Sequence, residues 1–149
     1  MTIIQNGVIM ERFKVLVVDD EQDFLETLVN RLKKRDIDTI GAASGEDALK
    51  IMKDNLFDAV VLDIKMPGGM DGIETLREMK KVQPLSEIVL LTGHGSVETS
   101  IEGLKLGAFD YLLKPIKLEE LLVKLSLAFE KKDLHSHKIR NLKIKELLR

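Results

Sequence analysis

Apolar positions along this chain follow two alternating patterns. Lys14–Val18 (KVLVV), Ala59–Leu62 (AVVL) and Ile88–Leu91 (IVLL) are apolar without period-two alternation, as strands buried on both faces must be. Asp38–Ala42 and Asp110–Leu113 are weaker strand candidates that suit the edges of a sheet. Between the strands the spacing turns helical. Phe24, Leu25, Leu28, Val29 and Leu32 share one helix face. Ser44 followed by Asp47 resembles a capping box, opening a second helix that carries Ala48, Leu49, Ile51 and Met52. Ile73, Leu76 and Met79 mark a third. Ser96 is placed as the cap of a fourth, with Val97, Ile101 and Leu104 inward and Gly107 just past its end. Pro115 precedes a fifth, with Leu118, Leu121, Leu122, Leu125 and Phe129. Five strands alternating with five helices predict parallel pairing through right-handed crossovers: a doubly wound α/β sandwich with helices on both sheet faces.

Length and composition narrow this little. The 149 residues suit one domain, and an apolar content of 44% supplies a core. The chain has no cysteine, which excludes disulfides and cysteine-based zinc sites and fits a reducing cytoplasm. No apolar run approaches the roughly 18 residues of a membrane span, and the opening MTIIQNGVIM lacks the pattern of a signal peptide. Residues 1–11 read as a loose N-terminal arm. Charge is more informative. Residues 130–149 hold seven Lys/Arg against three acidic side chains, so a basic tail follows an acidic body despite a net charge of −2. That balance argues against a nucleic-acid grip by the main domain.

In a doubly wound sheet, ligands gather outside the carboxyl ends of the strands. The first strand is followed by Asp19, Asp20 and Glu21. The third ends in Asp63, the fourth in Thr92, and the fifth in Lys114-Pro115. A solvated polar rim explains any one of these; the full set, in register with the strands, reads as a site. Carboxylates packed this closely repel one another, and a hard divalent cation resolves the conflict. Oxygen-only ligands with room for water suit Mg²⁺. With Lys114 as a second positive charge and Thr92 as a donor, the inventory is that of phosphoryl transfer to a carboxylate.

Four motifs then acquire a family. VLVVDDE at 15–21, VVLDIKMPGGMDG at 60–72, LLTGHG at 90–95 and GAFDYLLKP at 107–115 resemble the receiver domain of bacterial two-component response regulators. The likeness covers about residues 12–130, and the last two motifs look most like receivers of sigma-54-dependent transcriptional activators. It implies a flavodoxin-like five-stranded parallel sheet of order 2-1-3-4-5, here with a C-terminal helical extension. It also implies that Asp63 is the phosphoacceptor, that Asp20 ligates Mg²⁺ directly and Asp19 mainly through water, and that the backbone carbonyl of Lys65 is a third protein ligand. Thr92 and Lys114 would bind phosphoryl oxygens, Tyr111 would turn inward on activation, and the Lys114–Pro115 bond would be cis. The phosphodonor would be a sensor histidine kinase or phosphotransfer protein. The output surface would be formed by the fourth helix, fifth strand and fifth helix, serving homodimerisation or a downstream effector. Such a protein is a signalling phosphoacceptor that catalyses only its own phosphorylation and slow autodephosphorylation. One departure stands out: Gly68 and Gly69 both precede Met70-Asp71-Gly72, so the loop beside the acceptor is one residue longer than the family's usual one. Lys65 and His94 are expected to flank the approach to Asp63 and tune water access.

Residues 131–149 read as a basic helical tail or linker that prolongs the fifth helix. His135 and His137 are two apart and do not share a helical face, so no metal site is expected there. No room for an effector domain is expected within these 149 residues, so the chain reads as the receiver-plus-linker piece of a longer protein, with a single-domain regulator as the alternative. Rival functions are weaker. No GxxxxGK[ST] run and no GxGxxG after the first strand support a nucleotide-binding enzyme. An aspartyl-phosphate-forming phosphatase of the haloacid-dehalogenase kind would carry DxD after the first strand, where this chain has DDE. A degenerate receiver acting as a phosphorylation-independent binding module is the remaining alternative.

Overall fold

The three continuous apolar runs become the inner strands of a five-stranded parallel sheet. The computed structural model describes residues 2–5, 8–11 and 13–148, with the side chains of residues 2–11 and of His94 outside the description. The elements are β1 (Thr2–Gln5), β2 (Val8–Glu11), β3 (Lys14–Val18), α1 (Gln22–Lys33), β4 (Asp38–Ala42), α2 (Gly45–Asp54), β5 (Ala59–Asp63), α3 (Gly72–Val82), β6 (Glu87–Thr92), α4 (Val97–Lys105), β7 (Asp110–Leu113) and α5 (Leu118–Leu147). A 3₁₀ turn at His94–Ser96 precedes α4. The main sheet has the order β4-β3-β5-β6-β7, which is 2-1-3-4-5 when counted within that sheet. Every neighbouring pair is parallel.

Burial explains the order. Every residue of β5 and β6 is buried, and in β3 only Lys14 is not, so these strands need cover on both faces. The edge strands β4 and β7 are only partly buried. Alternate residues of each inner strand feed two separate cores. Val15, Val17, Val61, Val89 and Leu91 pack with Leu25, Leu28 and Leu32 of α1 and Leu121, Leu125 and Phe129 of α5. Leu16, Val18, Val60, Leu62, Ile88 and Leu90 face Ala48 and Met52 of α2 and Leu76 and Met79 of α3. Each fully buried Leu or Met removes enough apolar surface to contribute about 1.5–3 kcal/mol.

Three local features depart from the sequence pattern. The N-terminal arm contains backbone pairing: β1 and β2 form an antiparallel hairpin apart from the main sheet, with Gln5 opposite Val8. The intervening dipeptide is Asn6-Gly7, a strong hairpin signal in sequence. Helix α4 is rotated from its expected register. Ser100 and Gly103 are its buried residues, while Ile101 is 46% exposed and Leu104 half-buried. A methyl group at Gly103 would lie 2.5 Å from Leu90 Cδ1, so small residues let the helix approach the sheet closely. Ser96 does occupy the N-cap of α4, but its hydroxyl makes no cap bond. Ser44, by contrast, accepts the Asp47 amide at 3.1 Å, as a capping side chain should.

Helix α5 runs through the predicted tail as one element of thirty residues. Its inner half packs on the sheet, and the phenyl rings of Phe13 and Phe129 stack with centroids 3.7 Å apart. Lys132 pairs with Asp58 at 2.9 Å and Lys131 with the buried Glu87 at 3.4 Å. Beyond these anchors the helix is exposed, including Leu134, Leu142 and Leu147.

Candidate functional site

The carboxyl edge of the sheet is fixed by backbone bonds that continue past the strands. The Asp19 amide donates to Ala42 O at 3.1 Å, Ile64 N to Leu91 O at 3.0 Å, and Lys114 N to Thr92 O at 2.7 Å. The side chains at these positions therefore inherit the registration of the strands. Asp19 is completely buried, Asp63 is 7% exposed and Thr92 1%, whereas Asp20 is exposed. One carboxylate oxygen from each of Asp19, Asp20 and Asp63 lies within 4.8 Å of the other two. Lys114 reaches across from the end of β7, its Nζ 2.9 Å from Asp19 Oδ2 and 3.5 Å from Asp63 Oδ2. The Lys114–Pro115 bond is cis, as expected. The main chain holds the carboxylates in turn: Glu21 N donates to Asp19 Oδ1 at 2.9 Å, and Lys65 N to Asp63 Oδ1 at 3.3 Å.

Electrostatics follow from this packing. Burial, then the neighbouring Asp19 charge, pushes the Asp63 carboxyl up to about 6, against the opposing pull of Lys114 and the Lys65 amide. Burial draws Lys114 down, but its bonds and charge contacts with Asp19 and Asp63 outweigh this and leave its ammonium above the usual lysine value. One lysine therefore leaves the cluster short of positive charge. An all-oxygen, acidic donor set of this kind fits a hard divalent cation such as Mg²⁺.

The remaining sequence candidates lie around this centre. The Thr92 hydroxyl, at the end of β6, donates to Gly93 O at 3.1 Å. Tyr111 on β7 is half-buried against the core on the α2–α3 side. The Lys65 side chain is exposed on the loop that follows β5, while the expectation for His94 falls on a side chain outside the described residues. Two contributors were not visible as site residues in the sequence. Lys114 Nζ sits 4.4 Å from the centroid of the Phe24 ring, a cation–π contact from a residue that reads only as helix core. Glu46 Oε1 accepts the Met70 amide at 2.7 Å, touching the glycine loop from a position 24 residues earlier, and no spacing rule signals that pairing.

That loop leaves β5 and returns to α3 over a tight base. Gly72 N donates to Ile64 O at 3.0 Å, and a methyl group at Gly72 would lie 2.5 Å from the Ile64 Cα and O atoms. Asp71 caps α3 by accepting Glu74 N at 2.9 Å. At the loop's tip Gly68 has φ +89°, a conformation open to glycine at little cost.

A doubly wound sheet with an aspartate-lined carboxyl edge is the architecture of the receivers of two-component signalling. Residues 15–126 match the family model for the response regulator receiver domain, and the chain belongs to that family. It is 38% identical over 122 residues to a putative NtrX-like response regulator of Rickettsia bellii, covering 81% of this chain and 26% of that protein. It is 37% identical over 129 residues to the transcriptional regulatory protein ZraR of Escherichia coli, covering 87% of this chain and 28% of ZraR. The chain thus spans about a quarter of the length of these curated relatives. Among solved structures, a response regulator receiver domain from Clostridium thermocellum superposes with a TM-score of 0.78 at 35% identity, covering 82% of this chain and 98% of that one. Among the described residues, no helix is long and apolar enough to cross a membrane.

Proposed function

We propose that this receiver accepts a phosphoryl group on Asp63 from a histidine kinase or phosphotransfer protein. The observation that carries the reading is the placement of Asp63: buried, beside Asp19 and Asp20, and 3.5 Å from the Lys114 ammonium. An Asp63 oxygen attacks phosphorus as the bond to the donor breaks. Lys114, already bridging two carboxylates, stabilises the negative charge on the phosphoryl oxygens, and the Thr92 hydroxyl is free to exchange its Gly93 bond for one of them. Asp19, Asp20, Asp63 and the carbonyl of Lys65 would hold Mg²⁺, which supplies charge neutralisation for the incoming phosphate. Lys65 and His94 are assigned to water access at the acyl phosphate.

The response is a shift between two states that the phosphate binds unequally. Movement of Thr92 toward the phosphate opens space for Tyr111 and reshapes the surface of α4, β7 and α5. Ile101, Leu113, Val123 and Leu127 are exposed there, and an apolar patch of this kind supports homodimerisation or effector docking. Receivers of sigma-54-dependent activators offer the nearest functional parallel, with transcription as the output, in the cytoplasm, and no direct nucleic-acid contact by the receiver itself.

Incubation with MgCl₂ and acetyl phosphate, followed by intact mass, tests the chemistry. One phosphoryl adduct is expected, absent in Asp63→Asn and after chelation. No adduct on the native chain would leave only the binding-module reading.

A further inference from the structure

The Glu46 carboxylate lies against the tip of the loop that carries Gly68 and Gly69. It accepts Met70 N at 2.7 Å, and a methyl group built on Gly69 would lie 3.1 Å from Glu46 Oε1. Gly68, at φ +89°, has open space where a side chain would be. The tip is thus two glycines with little of their own to hold them, and a glycine pair gives a loop more freedom to lose on ordering than other residues would.

Glu46, by contrast, stands on a fixed frame. It lies in the first turn of α2, whose N-cap Ser44 accepts Asp47 N. The preceding Gly45 is pressed against α3: a methyl group there would lie 2.2 Å from Thr75 Oγ1. Thr75 Oγ1 itself donates to Asp71 O at 2.7 Å. The start of α2 is therefore registered against Asp71, at the loop's far end, while Lys65 N on Asp63 Oδ1 holds the near end. The Glu46–Met70 bond closes the span between these two ends. The Met70 amide, the foremost of several bonds, holds the Glu46 carboxyl below its usual range, as an acceptor of a real bond should be.

We infer that Glu46 is a positioning residue for the acceptor site: it clasps the Gly68–Gly69 loop so that the Lys65 backbone is already ordered against Asp63. The inference rests on the reading of Asp63 as phosphoacceptor with Mg²⁺. The loop needs such a clasp because Gly68 and Gly69 place no packed side chain of their own at its tip. Glu46 then acts through the loop on how readily the cation binds, and leaves the chemistry at Asp63 alone.

Two measurements on the full chain test this. In the cation-free protein, the Met70 amide resonance of the native chain should shift with pH as Glu46 titrates, and Glu46→Ala should abolish that shift. In acetyl phosphate reactions, Glu46→Ala should raise the MgCl₂ concentration for half-maximal rate by about three- to tenfold, the effect of losing one exposed bond to a charged group, with the rate at saturating MgCl₂ preserved. Glu46→Gln, which keeps an acceptor oxygen, should fall between. Removing Gly69 should make the Glu46→Ala change nearly silent. An unaltered Met70 resonance, an unaltered MgCl₂ dependence, or an equal effect with and without Gly69 would overturn the inference. Absence of phosphorylation in the native chain would instead overturn the acceptor reading, with the amide measurement still deciding the clasp.

Discussion

Asp63 holds its proton more tightly than an ordinary aspartate because it is buried and faces Asp19. A carboxyl whose value rises on folding makes the folded state most favourable when protonated. Stability of the cation-free protein should therefore fall as pH climbs from about 4, the unfolded value, to about 6, the folded one, and level off above that. Asp63→Asn removes the burden and should stabilise the chelated protein at pH 8 by on the order of 2 kcal/mol, the gain vanishing toward pH 4; urea unfolding at the two pH values reads this. MgCl₂ should narrow the gap at pH 8 by stabilising only the native chain. Lys114→Met acts oppositely. It strips both carboxylates of their ammonium and should cost about 2 kcal/mol at pH 8. The acidic side chains, Thr92 and Lys114 were legible in the sequence because each directly follows an apolar strand, and strand ends locate themselves. Phe24 and Glu46 were not: one reads as core and the other as a solvated first-turn acid, and only the tertiary fold brings them to Lys114 and Met70.

The elements show where periodicity is enough and where it is not. Inner strands announced themselves because burial on both faces demands unbroken apolar runs, and β4 and β7 were read with the observed bounds. Helix α4 departs from its sequence pattern by a rotation. Ile101 looks like a core residue, yet Ser100 and Gly103 face inward because the helix sits close to Leu90, and close approach selects small residues that hydrophobicity does not mark. The paired strands β1 and β2 have a weak sequence signal because they are short and unconnected to the main alternation. Gly72 carries the sharpest prediction at this scale. A methyl group there meets the backbone of Ile64, which cannot move aside as a side-chain tip can. Gly72→Ala should cost about 1–3 kcal/mol in chemical unfolding and slow phosphorylation by displacing the loop that Glu46 and Lys65 order.

Across the whole molecule, the acceptor edge and the proposed output surface share β6 and β7: Thr92 ends one strand opposite Leu113, and Tyr111 lies two residues back on the other, opposite Leu90. Under the proposed switch, this shared pair of strands is the route from a charge added at Asp63 to α4, β7 and α5. If the exposed Ile101, Leu113, Val123 and Leu127 form a phosphorylation-dependent contact, sedimentation should show a larger species with a phosphate mimic than without, and Val123→Glu should abolish the difference. Everything in this scheme descends from one covalent bond. The most direct measurement is to phosphorylate the native chain with acetyl phosphate and MgCl₂, reduce the acyl phosphate with borohydride, and map the modified residue by peptide sequencing. Homoserine at position 63, with Asp19 and Asp20 intact, is the predicted result; a modification at any other aspartate, or none in a sample whose intact mass has gained a phosphoryl group, would contradict it.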